Sequence, residues 1–523
     1  MGGCRWGGLG LLCRFVLLAL AIGCSEARPE PPDEEVPEPP VERCGLDLQL
    51  SALEDQPLVA ALACESGVPL PDAISFKDLP QGVEWHHESA ELRWQPALDQ
   101  AGDHTIAVHL PGRERGQIRI SVADRFEHPE NQPIVDPEHY THEYGLPVFH
   151  VTVGPDLNGN SQSPATIVYR GHTYNGAGAK YRGSTSSSYP KRSFTFKFDK
   201  DAPFSDEERG FEDVRRLVLT TNFDDNSGLR QRLSFELWNR LDPEHIPIRS
   251  FNAVVYVDGQ YQGLYQVTDH VDDDLLRYVG LPREVNLYKA RTHAANFWRY
   301  DDKGNLKKTL NAGYTKEAGL PEGGTEGAYA DLEALVAWLA DVQPEEFARE
   351  WESRLHRRDF EDWLVFTNLI AAGDTTNKNC YLIHDPRPDA PDARWRFIPW
   401  DFNTSWGQGY YTQRLVPDKL ELDGSAKRNA FFEHLLTDPA LRERVVERYR
   451  EVLRGPWTMD EILSTLDGWA AEIEPAALRD EVKWSEQFRS YWAKRNGFNN
   501  HVEEIQYLRD WIRARWQYLG EHL

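Results

Sequence analysis

Between Gly373 and Gly407 the chain reads GDTTNKNCYLIHDPRPDAPDARWRFIPWDFNTSWG, two strand-length apolar pieces joined by a Pro/Asp-rich turn. No other stretch constrains the fold as tightly. Strand, turn and strand in that order pair as an antiparallel hairpin, which brings the residues before the first strand close to those after the second. Asp374, Asn379 and Asp401 then converge although they are far apart in sequence, and convergent hard oxygen donors suit Mg²⁺ or Mn²⁺. Asp and Asn beside strands also serve as turn formers and caps, so spacing alone leaves both readings open.

The chain has 523 residues, 40% hydrophobic and 11% aromatic, enough to bury a large core in more than one domain. Its formal net charge is -26, from 84 acidic and 58 basic residues. That balance argues against nucleic acid as a partner, and it requires any phosphate-binding site to carry local cations or a divalent metal.

Residues 1–23, with Arg5 and Arg14 near the run FVLLALAIG, have the pattern of a secretory signal peptide. Ala21–Cys24 resembles a bacterial lipoprotein cleavage box, which makes Cys24 the expected lipid-bearing terminus of an exported, membrane-anchored protein. Residues 24–42, SEARPEPPDEEVPEPPVE after the cysteine, are too poor in apolar side chains to fold and are expected to form a tether. Residues 43–124 alternate in short strand-like segments, which predicts a β-sandwich, and Leu79–Leu110 resembles bacterial Ig-like domains. His86 and His87 lack further ligands at metal-binding spacing and are expected to be surface residues of a strand. Cys44 and Cys64 are either a disulfide or two thiols, and Cys380 is expected to be a buried, inert thiol. Residues 125–145 read as a linker packed against the next domain.

Residues 146–523 begin β-rich and end helical. Phe194, Phe196 and Phe198 share one face of a strand, and Leu229, Leu233, Leu237 and Leu241 form a helical stripe after the candidate caps Asp225, Asn226 and Ser227. Asp258-Gly259 marks a hairpin, and the segments after Phe431 predict amphipathic helices.

Six segments carry a resemblance in the same order: YRGSTSSSYPKRSFTFKF, LVLTTNFDDNSGLRQRLSFEL, VYVDGQYQGLYQVTDHVD, NLYKA, GDTTNKNCYLIHD and RWRFIPWDFNTSWG. Together they resemble the CotH-like kinases, the family of spore coat protein H, which are secreted atypical protein kinases. The expected fold is therefore an Ig-like sandwich followed by what the resemblance implies, an α+β atypical kinase-like domain with a helical C-terminal region. It implies ATP with Mg²⁺ or Mn²⁺, and transfer to Ser/Thr hydroxyls of protein substrates at the cell surface or envelope. The alternative is an inactive kinase-like scaffold.

Asp374 and Asn379 have the i, i+5 spacing of the kinase catalytic loop, and Asp401 stands where a later metal-binding Asp is expected. No His-Arg-Asp precedes Asp374, and Asp401 is followed by Phe402-Asn403 rather than Phe-Gly. The implied roles are Asp374 on the acceptor hydroxyl, Asn379 and Asp401 on metal, Lys191, Arg182 and Lys197 on phosphates, and Glu236 orienting the lysine. Two departures from the family pattern are Asp269 in place of a glutamate and Asn403 in place of a second metal-motif aspartate.

Overall fold

A computed structural model describes residues 46–523 apart from 55, 65, 66, 68, 71, 72, 97–99, 111–114, 124–135, 156, 184, 283, 421 and 492–498. The signal peptide and tether, Cys24 and Cys44 lie outside the described residues.

Residues 46–123 form two small sheets. Asp47–Leu53 runs parallel to Arg115–Ala123, which continues antiparallel to Gly102–His109 and then Ser75–Lys77. Leu58–Ala61, Glu91–Trp94 and Glu84–His86 make the second sheet. Leu92, Trp94, Ile106, Ile118 and Ile120, drawn from both sheets, share one core. Cys64 is buried against it and disulfide-bonded.

The next body is a closed barrel of seven strands: β1 (Leu146–Thr152), β2 (Ser163–Tyr169), β3 (His172–Arg182), β4 (Ser193–Lys197), β5 (Arg216–Thr220), β6 (Ser250–Val257) and β7 (Gln260–Asp269). The order is β2-β3-β4-β5-β7-β6-β1, and β1 pairs back onto β2 to close it. Only the β6–β1 contact is parallel. Alternation divides the side chains as a pleated strand requires. Phe194, Phe196, Leu217, Leu219, Phe251, Ala253, Val255 and Val267 fill the interior. Val218, Val254, Tyr256 and Leu264 point outward into the main core. Both faces are therefore apolar over much of the barrel, and its strands read as nearly continuous hydrophobic runs.

Helix α1 (Arg230–Leu241) covers part of that outer face and buries Leu233, Leu237 and Leu241. Asp225 assists its start by accepting from the Arg230 amide at 3.0 Å. Arg230 itself is fully buried between Asp225 and Glu504. Tyr140 and Glu143, from the segment expected to be a linker, are also buried here, and Tyr140 Oη donates to Glu143 at 2.7 Å.

A second, antiparallel sheet has the order β9-β8-β10-β11, where β8 is Asn286–Ala290, β9 Tyr314–Ala318, β10 Cys380–His384 and β11 Arg396–Pro399. Helix α2 (Arg357–Leu369) is buried and leads into β10. The C-terminal helices include α3 (Met459–Ser490) and α4 (His501–His522). Among the described residues no helix is long and apolar enough to cross a membrane.

Candidate active site

The expected hairpin forms: Cys380 pairs with Pro399, Tyr381 with Ile398 and Leu382 with Phe397. Asn379 and Asp401 therefore flank its open end. Both residues have left-handed backbones, with φ of 54° and 66°. Non-glycine residues rarely accept that conformation, and it clusters at functional sites.

Asp374 sits on a short turn fixed from several directions. Trp363 Nε1 on α2 donates to Thr375 O at 2.8 Å, and Thr375 Oγ1 donates to Ala372 O at 2.9 Å. The Asp374 carboxylate accepts from Asn379 Nδ2 at 3.0 Å and pairs with Lys378 Nζ at 3.0 Å. His293 Nε2 lies 3.7 Å away, and its Nδ1 is 2.7 Å from Asn377 Oδ1. Because the Asn379 NH₂ is engaged with Asp374, its amide oxygen is left for a cation.

Asp401 is half-buried. Burial raises its pKa, the charge of Arg182 opposes that rise, and the charge of Asp374 reinforces it. Asp224, from the loop after β5, is pushed up to about 6 by burial, with Asp225 and Asp401 adding to the effect. Asn403 Nδ2 donates to Asp224 at 2.5 Å and offsets part of that shift. An aspartate at position 403 would repel Asp224, so the departure from the family pattern has a local physical reason.

Among the described residues no three His, Cys, Asp or Glu side chains form a preformed metal cage. Asp401 and Asn379 nevertheless fit Mg²⁺, which is usually held by one or two protein oxygens and completed by water and substrate phosphates. The mutual repulsion of Asp374 and Asp401 is what a bound cation would relieve.

Two cations complete the site. Arg182 ends β3, and burial lowers its pKa against the opposing charges of Tyr381 and Asp401. Lys289 on β8 lies directly across from Tyr381, with Nζ 5.0 Å from the centroid of that ring and 6.0 Å from that of Trp400. Burial and the charge of Arg182 push Lys289 down to about 8. Among the described residues no hydrogen bond or ion pair engages either head group. After Arg182 the chain turns at Gly183, whose φ is 118° and where a Cβ would lie 1.9 Å from Ser186 Oγ, so this tight loop requires glycine.

Three expected phosphate or lysine-orienting residues sit elsewhere. Lys191 is sealed inside, donating to Leu264 O at 2.6 Å, Asp480 at 2.8 Å and Thr221 O at 3.4 Å. All three of its donors are spent, so it cannot also hold phosphate. Its carboxylate partner is Asp480 on α3 rather than Glu236, which pairs with Arg240 one turn along α1. Lys197 is exposed at the opposite end of β4 from Ser193, which faces Arg182, and at ~3.3 Å per residue this places it roughly 13 Å from that end. There it lines a groove of about 950 Å³ with Gln162 and Gly178. Sequence reasoning does not single out Lys289 or Asp224, although both lie within the family-like segments, in NLYKA and NFDD.

The family described as CotH kinase protein matches residues 179–519. Inner spore coat protein H of Bacillus subtilis (strain 168) is 23% identical over 344 residues, covering 66% of this chain and 86% of that protein. A solved structure of the surface layer protein SbsC, domains 4–9, aligns over 43% of this chain and 26% of that one at 11% identity. Its TM-score is 0.12, too low to carry an argument.

Proposed function

Because the chain belongs to the CotH kinase protein family, we propose that it is an exported, lipid-anchored protein kinase transferring the γ-phosphate of ATP to Ser/Thr hydroxyls of surface or envelope proteins. One observation carries the reading: Arg182 and Lys289, two desolvated cations whose head groups make no ion pair or hydrogen bond among the described residues, lie within electrostatic range of Asp401, with Glu317 also attracting Lys289. Unpaired, desolvated cations are costly, and a polyphosphate supplies the missing charge.

In this arrangement Arg182 and Lys289 would hold the phosphates, while Asp401 and the amide oxygen of Asn379 would hold the divalent ion. That ion would neutralise charge on the phosphate oxygens. Asp374, fixed by Asn379 and Lys378, orients the acceptor hydroxyl. The acceptor oxygen bonds to the γ-phosphorus as the bond to the β–γ bridging oxygen breaks, ADP leaves, and Asp374 takes the hydroxyl proton. The envelope location rests on the leader, Cys24 and the Pro/Glu tether, and agrees with a relative named for the spore coat.

The test is transfer of radiolabelled phosphate from ATP by purified protein with Mg²⁺ or Mn²⁺. Label should reach protein acceptors with wild type and be absent with Asp401→Ala. Nucleotide binding without any transfer would assign the chain to the scaffold reading instead.

A further inference from the structure

The loop that follows β8 is stitched to the catalytic turn. Arg291 N and Thr292 N donate to Gly313 O at 2.8 Å and 3.3 Å, and Asn379 N donates to Ala290 O at 2.9 Å. Gly313 has φ of 93°, and a Cβ there would lie 2.4 Å from Ala295 N, so this packing requires glycine. The loop carries His293, whose Nδ1 meets Asn377 and whose Nε2 faces Asp374.

Asn377 fixes the tautomer of that ring. It is buried, and its Nδ2 donates to Arg428 O at 3.1 Å and to His293 O at 3.4 Å. Carbonyl oxygens only accept, so the NH₂ group must face them and Oδ1 must face the imidazole. His293 Nδ1 therefore donates to Asn377 Oδ1 at 2.7 Å and carries the proton of the neutral ring. Nε2 is left as a base, 3.7 Å from Asp374 Oδ1. That separation is too long for a hydrogen bond, as two acceptors with no proton between them require.

The two oxygens of Asp374 are used differently. Asn379 Nδ2 and Lys378 Nζ both engage Oδ2, each at 3.0 Å. Among the described residues Oδ1 accepts no hydrogen bond, and its neighbour is the unprotonated Nε2 of His293. The oxygen free to take a proton thus stands beside a nitrogen that can receive it.

We propose that His293 is a proton relay behind Asp374. As the acceptor oxygen bonds to the γ-phosphorus, the β–γ bridging oxygen leaves with its electron pair on ADP, and the hydroxyl proton passes to Asp374 Oδ1 and then to His293 Nε2. Asp374 regains its charge, and the imidazolium, whose side chain is 38% exposed, releases the proton to water. The Nδ1 bond to Asn377 persists throughout and strengthens while the ring is charged. The inference rests on the transfer reading and deepens it; His293 acts through Asp374 and is a positioning residue.

The test is single-turnover transfer from labelled ATP with Mn²⁺ to a serine-centred peptide library, using the full chain. His293→Gln keeps a donor for Asn377 but cannot accept a proton, so the transfer rate should fall roughly a hundredfold, the lower end for a positioned acid–base group, with ATP affinity and Tm unchanged. His293→Gly should fall as far and recover with added imidazole. At mildly alkaline pH, where both are neutral, a methyl-substituted imidazole should rescue better than a bromo-substituted one, which is similar in size and a much weaker base. An unchanged rate in His293→Gln would overturn the proposal, as would rescue indifferent to basicity or a loss of ATP affinity that matches the loss of rate. Wild type that binds ATP but labels no peptide would overturn the transfer reading and this inference with it, whereas active wild type beside an equally active His293→Gln would overturn the inference alone.

Discussion

Replacing Lys289 with methionine is expected to make the protein more stable and poorer at binding nucleotide. The lysine is half-buried beside Arg182, which together bring its pKa from 10.5 to about 8. At ~1.4 kcal/mol per tenfold change, that difference bounds the native-state cost of its charge at roughly 3 kcal/mol; residual solvent access and lost attraction to Tyr381 and Trp400 reduce the expected gain to ~1–2 kcal/mol. The unfolded lysine keeps its proton up to about pH 10.5 and the folded one only to about 8, so between these values the unfolded state binds more protons and stability rises with pH. The full cost is present below pH 8 and disappears as the unfolded lysine also deprotonates. Lys289→Met should therefore unfold at higher temperature or urea than wild type at pH 7, with the difference fading toward pH 10.5. Losing a charge-assisted contact worth ~1.5–3 kcal/mol should weaken ATP binding by about tenfold or more. The assay is unfolding at pH 7 and pH 10 with an ATP·Mn²⁺ titration of both proteins. A variant less stable at pH 7, or one that binds ATP like wild type, would refute the reasoning.

Asp374→Asn should lower turnover by roughly two to four orders of magnitude while leaving nucleotide affinity nearly intact, separated by single-turnover kinetics and calorimetry. Lys191→Ala should cost ~3–5 kcal/mol of stability, because it leaves Asp480 buried without its cation; Lys191→Met combined with Asp480→Asn should recover much of that loss in urea melts. Cys24→Ser should abolish acylation and move the protein from the membrane fraction to the soluble one, read by fractionation and N-terminal mass.

The sequence disclosed what is local. The β10–β11 hairpin was legible because strand length, turn chemistry and apolar runs all lie in one stretch, and with it came Asp374, Asn379 and Asp401. The α1 helix was legible from its leucine stripe. Closure of the barrel was not, since alternation marks a strand without naming the partner that joins β1 to both β2 and β6. Two of the three expected phosphate cations sit elsewhere for a related reason. Lys191 and Lys197 stood beside a small-residue loop, but a lysine's role depends on what covers it, and Asp480 arrives from a helix 289 positions later. Lys289 was hidden in NLYKA, a short apolar strand whose site-facing character depends on Tyr381 across the sheet. Asp224 likewise acquires its shifted carboxyl only from burial and from Asp225 and Asp401.

On the proposed reading, the phosphates of a nucleotide lie between Arg182 and Lys289 on one side and Asp401 with Asn379 on the other. A structure of the full chain with a non-hydrolysable ATP analogue and Mn²⁺ tests it most directly. Phosphate oxygens are expected within hydrogen-bond distance of Arg182 and Lys289, Mn²⁺ on Asp401 and the Asn379 amide oxygen, and the Lys191–Asp480 pair unbroken. A nucleotide held by Lys191 or Lys197, or Mn²⁺ bound away from Asp401, would contradict it.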